Sequence, residues 1–263
     1  MKKKIIAANF KMNKTAVDIK KYFAVFLDKA NGFKNKKSFN NLDVELIFSP
    51  PFVSLCETYE IIKPYLDFAK LSSQNIYFEK SGAYTGEISI DMVKSCGCTH
   101  AILGHSERRN IFKENDELIS KKIEAVYNDG ELTPILCVGE NLDKRRQNGQ
   151  EKFVANQLSI GLNLVKQKVI PSLIVAYEPV WAIGTGMPIK ADDGEVMHKF
   201  IRSYLNSNYS IRELRVIYGG SVTEANIVEL MSKTHIDGVL VGGASLDPLI
   251  FYNIFRLASE QDK

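Results

Sequence analysis

The chain has 263 residues, 45% of them apolar and 25% charged, the balance of an ordinary globular protein rather than a disordered one. Thirty-four basic against thirty-one acidic residues leave a net charge of +3. That surplus is too mild to predict a nucleic-acid partner, though it suits a small anionic ligand. No run approaches the roughly eighteen apolar residues of a membrane span. Met1-Lys2-Lys3-Lys4 heads an apolar run of only Ile5-Ile6-Ala7-Ala8, too short for an export signal. With four scattered cysteines and no such signal, no disulfide framework is expected, and a soluble protein of a reducing compartment is.

Short apolar, β-branched runs alternate with longer amphipathic segments from end to end. Strands are predicted to begin near Ile5, Val44, Phe68, Ala101, Ile135, Leu173, Arg215 and Gly238, at a mean spacing of about 33 residues, one strand–helix–return unit. Ile19, Tyr22, Phe23, Phe26 and Leu27 form a helical stripe behind a Thr15-to-Asp18 capping box. Ile119, Ile123, Val126 and Tyr127 form a second, closed by Gly130 as C-cap. Runs such as Leu173-Ile174-Val175-Ala176 are apolar throughout, as strands covered on both faces must be. Pro134 is placed just before the fifth strand, where its missing N–H does no harm. Eight units in 263 residues fit a closed α/β barrel of the (β/α)8 type. Periodicity does not report closure, so an open doubly wound sheet stays open on pattern alone. The polar stretches 31–41 and 141–152 read as loops or exposed helix surface, and neither marks a domain boundary.

The residues that can carry chemistry follow the apolar strands, at the edge where a barrel builds its active site. Asn9-Phe10-Lys11-Met12-Asn13 follows the first strand; Lys11 could hold a phosphate or polarise a carbonyl, though on this motif alone a surface lysine is the plainer reading. Gly104-His105-Ser106-Glu107-Arg108-Arg109 follows the fourth. A short helix capped by Ser106 or a neighbour would set His105 beside its positive end as a neutral proton donor; the alternative is a core histidine. Glu178 ends the sixth strand and opens Pro179-Val180-Trp181-Ala182-Ile183-Gly184-Thr185-Gly186. That pattern reads as a general base beside a lid. A salt-bridged glutamate would explain the carboxylate, but not why the loop carries Val180, Trp181 and Ile183. Gly219-Gly220-Ser221 and Gly242-Gly243-Ala244-Ser245 follow strands seven and eight, a frequent phosphate position. Cys96-Gly97-Cys98-Thr99-His100 crowds three possible ligands into five residues without a second cluster, so core packing is expected there rather than metal.

In order and spacing, these five segments resemble the triosephosphate isomerase family across essentially the whole chain. The resemblance implies one TIM-barrel catalytic domain over residues 1–263. It also implies interconversion of dihydroxyacetone phosphate and D-glyceraldehyde 3-phosphate without cofactor or metal, in cytoplasmic glycolysis and gluconeogenesis. Glu178 would be the base and His105 the proton shuttle, with Asn9 and Lys11 adding electrostatic support and Glu107 positioning Lys11. Asn9, Lys11 and the N–H groups of Gly184, Ser221, Gly242 and Gly243 would bind the substrate and its phosphate. Pro179, Val180, Trp181, Ala182 and Ile183 would form the lid, which with Leu240 would press on Glu178. The family is usually dimeric; the apolar loop 74–87, with Thr85, would pack around the partner's Lys11-Met12 region. Phe10 replaces a frequent tryptophan, and the lid exit Met187-Pro188 departs from the common pattern, which bears on hinge motion. Another sugar-phosphate barrel enzyme, such as an epimerase or aldolase, would show metal ligands or a Schiff-base lysine that this pattern lacks. A silent scaffold would be expected to have lost catalytic residues, and none of the key positions is lost.

Overall fold

The computed structural model describes residues 3–34, 44–182 and 189–260. Eight parallel strands close into a barrel in sequence order. They are β1 (Lys4–Asn9), β2 (Val44–Ser49), β3 (Ala69–Ser73), β4 (His100–Leu103), β5 (Thr133–Val138), β6 (Val169–Tyr177), β7 (Ser210–Tyr218) and β8 (Gly238–Val241). The pairing of β1 with β8, Ile5 opposite Gly238 through Ala8 opposite Val241, makes the closure that periodicity could not report.

Six strands begin within two residues of the predicted starts; β6 and β7 begin four and five residues early. Their first residues pair only with each other, from Val169 opposite Ser210, while β5 joins β6 only from Ile135 opposite Ile174. A two-stranded ribbon outside the barrel buries little, so it leaves no apolar signature. Pro134 lies within β5, not before it. Thr133 N–H points to β4, donating to Thr99 O, so the next residue faces β6, where the ladder has not yet begun. Its missing donor is therefore not needed.

Ten helices wrap the barrel: α1 (Ala16–Lys34), α2 (Leu55–Ile62), α3 (Ile90–Ser95), α4 (Ser106–Asn110), α5 (Asp116–Asp129), α6 (Leu142–Arg146), α7 (Gln150–Gly161), α8 (Ala191–Asn208), α9 (Ile227–Met231) and α10 (Pro248–Ser259), counted among the described residues. The α1 capping box forms as its sequence requires. Asp18 Oδ2 accepts from Thr15 N–H at 3.0 Å, and Thr15 Oγ1 accepts from Asp18 N–H at 3.3 Å. Gly130 ends α5 in the left-handed conformation at φ 83°, a cost only glycine escapes. The 141–152 stretch is α6 and the start of α7, an exposed helical surface.

Strand alternation separates two cores. Ile5, Ala7, Ile47, Ile102, Ile135, Cys137, Ile174, Ala176, Ile217 and Leu240 fill the barrel. The opposite faces, with Ile6, Ala8, Leu46 and Phe48, meet the helices. There Phe23, Phe26 and Phe48 stack edge to face with centroids 4.9–6.3 Å apart, and Phe251 of α10 lies 5.8 Å from both Phe26 and Phe48. Emptying one such ring site costs about 3–5 kcal/mol.

The cysteines depart from expectation. Cys56 of α2 and Cys96 after α3 form a disulfide, their Cα atoms 4.5 Å apart. Packing of α2 against β3, with Tyr59 on Gly97, which a separation of 40 residues conceals in the sequence, brings the two sulfurs together. Cys98 and Cys137 are free and buried. Among the described residues no helix is long and apolar enough to cross a membrane, and no three His, Cys, Asp or Glu side chains cluster to hold a metal ion.

Candidate active site

At the C-terminal mouth of the barrel a cavity of about 360 Å³ is lined by Asn9, Lys11, His105, Glu178, Gly219–Thr223, Leu240 and Gly242–Ala244. Five sequence-distant segments therefore meet in one place, because each follows the C-terminal end of a parallel strand.

Glu178 is only 2% exposed. Its Oε2 accepts from Ser106 N–H at 2.9 Å, and its Oε1 lies 3.3 Å from His105 Nε2. The backbone around it admits no side chains. A Cβ on Gly139 would come within 1.7 Å of Glu178 O, and one on Gly219 within 2.8 Å of Glu178 Cγ. The two glycines, after β5 and β7, let Glu178 sink between its neighbouring strands.

His105 itself, rather than Ser106, is the N-cap of α4. Its Nδ1 accepts from Glu107 N–H at 3.3 Å. An accepting Nδ1 holds a lone pair, which leaves the ring proton on Nε2, the nitrogen facing Glu178. Arg109 fixes the same corner, donating to Gly104 O at 2.6 Å and to Cys137 O at 3.0 Å while pairing with Asp116.

Lys11 sits in the left-handed region at φ 51°, rare for a residue with a side chain. Asn9 Oδ1 accepts its N–H at 3.0 Å, and Gln74 Nε2 donates to its carbonyl at 2.9 Å. With its oxygen so occupied, the Asn9 amide has N–H donors left for a ligand. The Lys11 ammonium pairs with Glu107 Oε1 at 2.8 Å and lies across Gly242, where a Cβ would meet Lys11 Nζ at 3.5 Å. A cation thus stands beside the β8 glycine pair, and Gly243 opens a 3-10 turn through Leu246 whose first N–H groups have no partner within the turn.

The segment expected to form a lid begins with a 3-10 turn at Val180–Ala182. Trp181 Nε1 donates to Glu140 Oε1 at 3.0 Å, Tyr177 OH donates to the same carboxylate, and the Arg145 guanidinium lies 5.7 Å over the indole. Ser221 Oγ donates to Ala182 O at 2.7 Å, so a predicted phosphate-side residue touches the predicted lid segment. Ile183, Gly184 and the Met187-Pro188 exit lie outside the described residues. Met12 is 95% exposed and Thr85 exposed, while Ile76 of the same loop is buried and Tyr77 stacks between Phe78 and Tyr84. Part of that loop's apolar character is therefore spent within the chain.

Glu140, Gln74 and Gly139 were not singled out in the sequence. Glu140 closes Cys137-Val138-Gly139-Glu140, so the strand-end rule applied to β5 would have found it. Gln74 gives no signal, because it acts only by donating to two backbone carbonyls, of Lys11 and Ser49.

An eight-stranded parallel barrel with a carboxylate, an imidazole and a lysine converging at its C-terminal mouth, beside two glycine pairs, defines a barrel enzyme of proton transfer on a small anionic substrate. The family model described as triosephosphate isomerase matches residues 4–258. A triosephosphate isomerase of Dictyoglomus thermophilum is 42% identical over 97% of this chain and 100% of its own length. One of Finegoldia magna is 43% identical over 97% and 99%. The crystal structure of triosephosphate isomerase from Bartonella henselae superposes with a TM-score of 0.81 at 31% identity, covering 97% of this chain and 98% of its own. The chain belongs to the triosephosphate isomerase family.

Proposed function

We infer that the protein is an enzyme interconverting dihydroxyacetone phosphate and D-glyceraldehyde 3-phosphate through an enediolate, the reaction of its family. The observation that carries the reading is the Glu178–His105 pair, 3.3 Å apart, facing a cavity that also holds Lys11 and both glycine pairs. The epimerase, aldolase and scaffold readings have no comparable support.

Glu178 takes the proton from the hydroxyl-bearing carbon beside the carbonyl and returns it to the former carbonyl carbon. Between these steps His105 Nε2–H protonates one enediolate oxygen and recovers a proton from the other, so the ring ends as it began. Lys11 and the free N–H groups of Asn9 stabilise the oxyanion, and Glu107 keeps the Lys11 ammonium in place. Ser221, Gly242, Gly243 and, in the lid, Gly184 offer N–H groups to the phosphate. The lid, Pro179 through Ile183, excludes water from an intermediate that can eliminate its phosphate, and with Leu240 it presses on the base. Binding energy from the phosphate, remote from the reacting carbons, drives closure.

The chain forms one catalytic barrel domain of a cytoplasmic homodimer in this reading. Exposed Met12 and Thr85 support the subunit contact, since neither is covered by its own chain. Sedimentation at micromolar concentration tests it; a fully active monomer would remove the dimer. For the reaction, turnover of glyceraldehyde 3-phosphate in a coupled assay is compared with Glu178→Gln. Rapid turnover in the first and near-silence in the second are expected. A folded but inactive wild type would refute the reading.

A further inference from the structure

The chain's four cysteines divide into two chemistries. Cys98 and Cys137 are buried, and burial pushes both thiols up, Cys98 to about 12, so neither offers a thiolate at neutral pH. Cys56, in contrast, is exposed and its bonded partner Cys96 half-buried. Accessible disulfides are the ones that exchange with external thiols.

What the bond joins bears on the site. The loop after β1 holds two residues at positive φ, Lys11 at 51° and Lys14 at 75°. Such conformations persist only where the surroundings hold them. Ser54, in the turn that leads into Cys56, donates its Oγ to Lys14 O at 3.0 Å. Gln74, at the head of the segment that ends at Cys96, donates to Lys11 O and to Ser49 O, each at 2.9 Å. The two carbonyls of the strained loop are thus held from two different segments, and the disulfide ties those segments together. Tyr59, one turn beyond Cys56, packs on Gly97, where a Cβ would fall 2.1 Å from the ring. The contact beside the sulfurs is therefore close, and its geometry depends on the two backbones staying together.

We propose that Cys56–Cys96 is a reversible redox site whose oxidised form braces the Lys11 loop and whose reduced form loosens it. A dithiol reductant supplies the electrons. One of its thiolates attacks a sulfur of the pair, breaking the S–S bond and forming a mixed disulfide; its second thiol then displaces the protein sulfur. The reductant leaves as a disulfide, and Cys56 and Cys96 gain two electrons and two protons as thiols. A disulfide oxidant reverses the step. Only the kinetic arm of the test rests on the isomerase reading.

The full-length protein is alkylated before and after dithiothreitol, and the labelled cysteines are mapped by peptide mass. Cys56 and Cys96 are expected to label only after reduction. Hydrogen exchange across residues 10–14 and 74–89 should then speed up about tenfold, and the melting midpoint should fall by about 5–10 °C. The value of kcat/KM should drop several-fold and recover on reoxidation. The double variant Cys56→Ser, Cys96→Ser should match the reduced protein under all conditions. Labelling of both residues in oxidant-treated protein, or equal exchange at 10–14 in the two states, would overturn the proposal. An unmoved kcat/KM would overturn the brace on the site. Absence of turnover in both states would instead count against the isomerase reading, leaving the exchange and labelling results to decide the redox site.

Discussion

Trp181 Nε1 donates to the fully buried carboxylate of Glu140 at 3.0 Å, so the 3-10 turn at Val180–Ala182 is tied to the end of β5. Tyr177, immediately before Glu178, donates to the same carboxylate. One acid therefore joins the Val180–Ala182 turn, β6 and the end of β5.

Trp181 is the only tryptophan of the chain, so its fluorescence reports this turn without interference. A non-reactive triose-phosphate analogue should shift its emission by moving the lid. Glu140→Leu leaves the indole N–H and the Tyr177 hydroxyl without their acceptor, each costing about 1–3 kcal/mol. The free-state emission of that variant should already be shifted and the ligand response reduced. An emission spectrum indifferent to the analogue in wild type would refute the coupling.

Gly139→Ala places a methyl 1.7 Å from Glu178 O, a backbone atom that cannot swing aside. A displacement of the base by ~1 Å corresponds to a loss of ~100-fold in kcat. Gly149→Ala, where the nearest atom is 3.5 Å away, serves as control and should leave turnover unchanged. Equal kcat in the two variants would show that the base tolerates displacement. Glu178→Asp, which withdraws the carboxylate by one methylene, should lose a similar factor.

Lys11→Ala should abolish most turnover while the melting midpoint moves little, since the side chain packs in no core. Glu107→Gln keeps shape but removes the charge 2.8 Å from the ammonium. Both partners are partly exposed, which limits the pair to about 1 kcal/mol or less. A rise in KM of a few-fold is therefore expected for Glu107→Gln, against a loss of orders of magnitude for Lys11→Ala. Similar kinetics for the two variants would contradict a direct role for Lys11.

His100 and His198 are both buried, and desolvation lowers each to about 4. Unfolded, they would titrate near 6.5, so between pH 6.5 and 4 the unfolded chain binds more protons than the folded one. Stability should consequently be flat above about pH 6.5 and fall as pH drops toward 4, by about 2–3 kcal/mol per histidine. Melting midpoints measured across this window in wild type and His100→Gln would check it. An unchanged slope in the variant would exclude His100 as a source.

The repeating unit, the α1 capping box, the Gly130 terminus and the rim positions of Asn9, Lys11, His105, Glu178, Ser221 and Gly242 are legible in the sequence. Each is written in local periodicity, in capping chemistry or in the rule that barrel sites follow strand ends. The remaining features follow from how distant segments meet. Barrel closure depends on β1 meeting β8, a pairing of residues more than two hundred positions apart. Pro134 is tolerated inside β5 because the strand on its N–H side starts pairing one residue later. Glu140 stands at a legible strand end, but its tie to Trp181 depends on the fold, and Gln74 became visible only when the fold put Lys11 against it. The same holds for Cys56 and Cys96, which composition separates and packing joins. Local signals report what a residue does to its own backbone, whereas hydrogen bonds and disulfides between distant segments depend on where the chain returns.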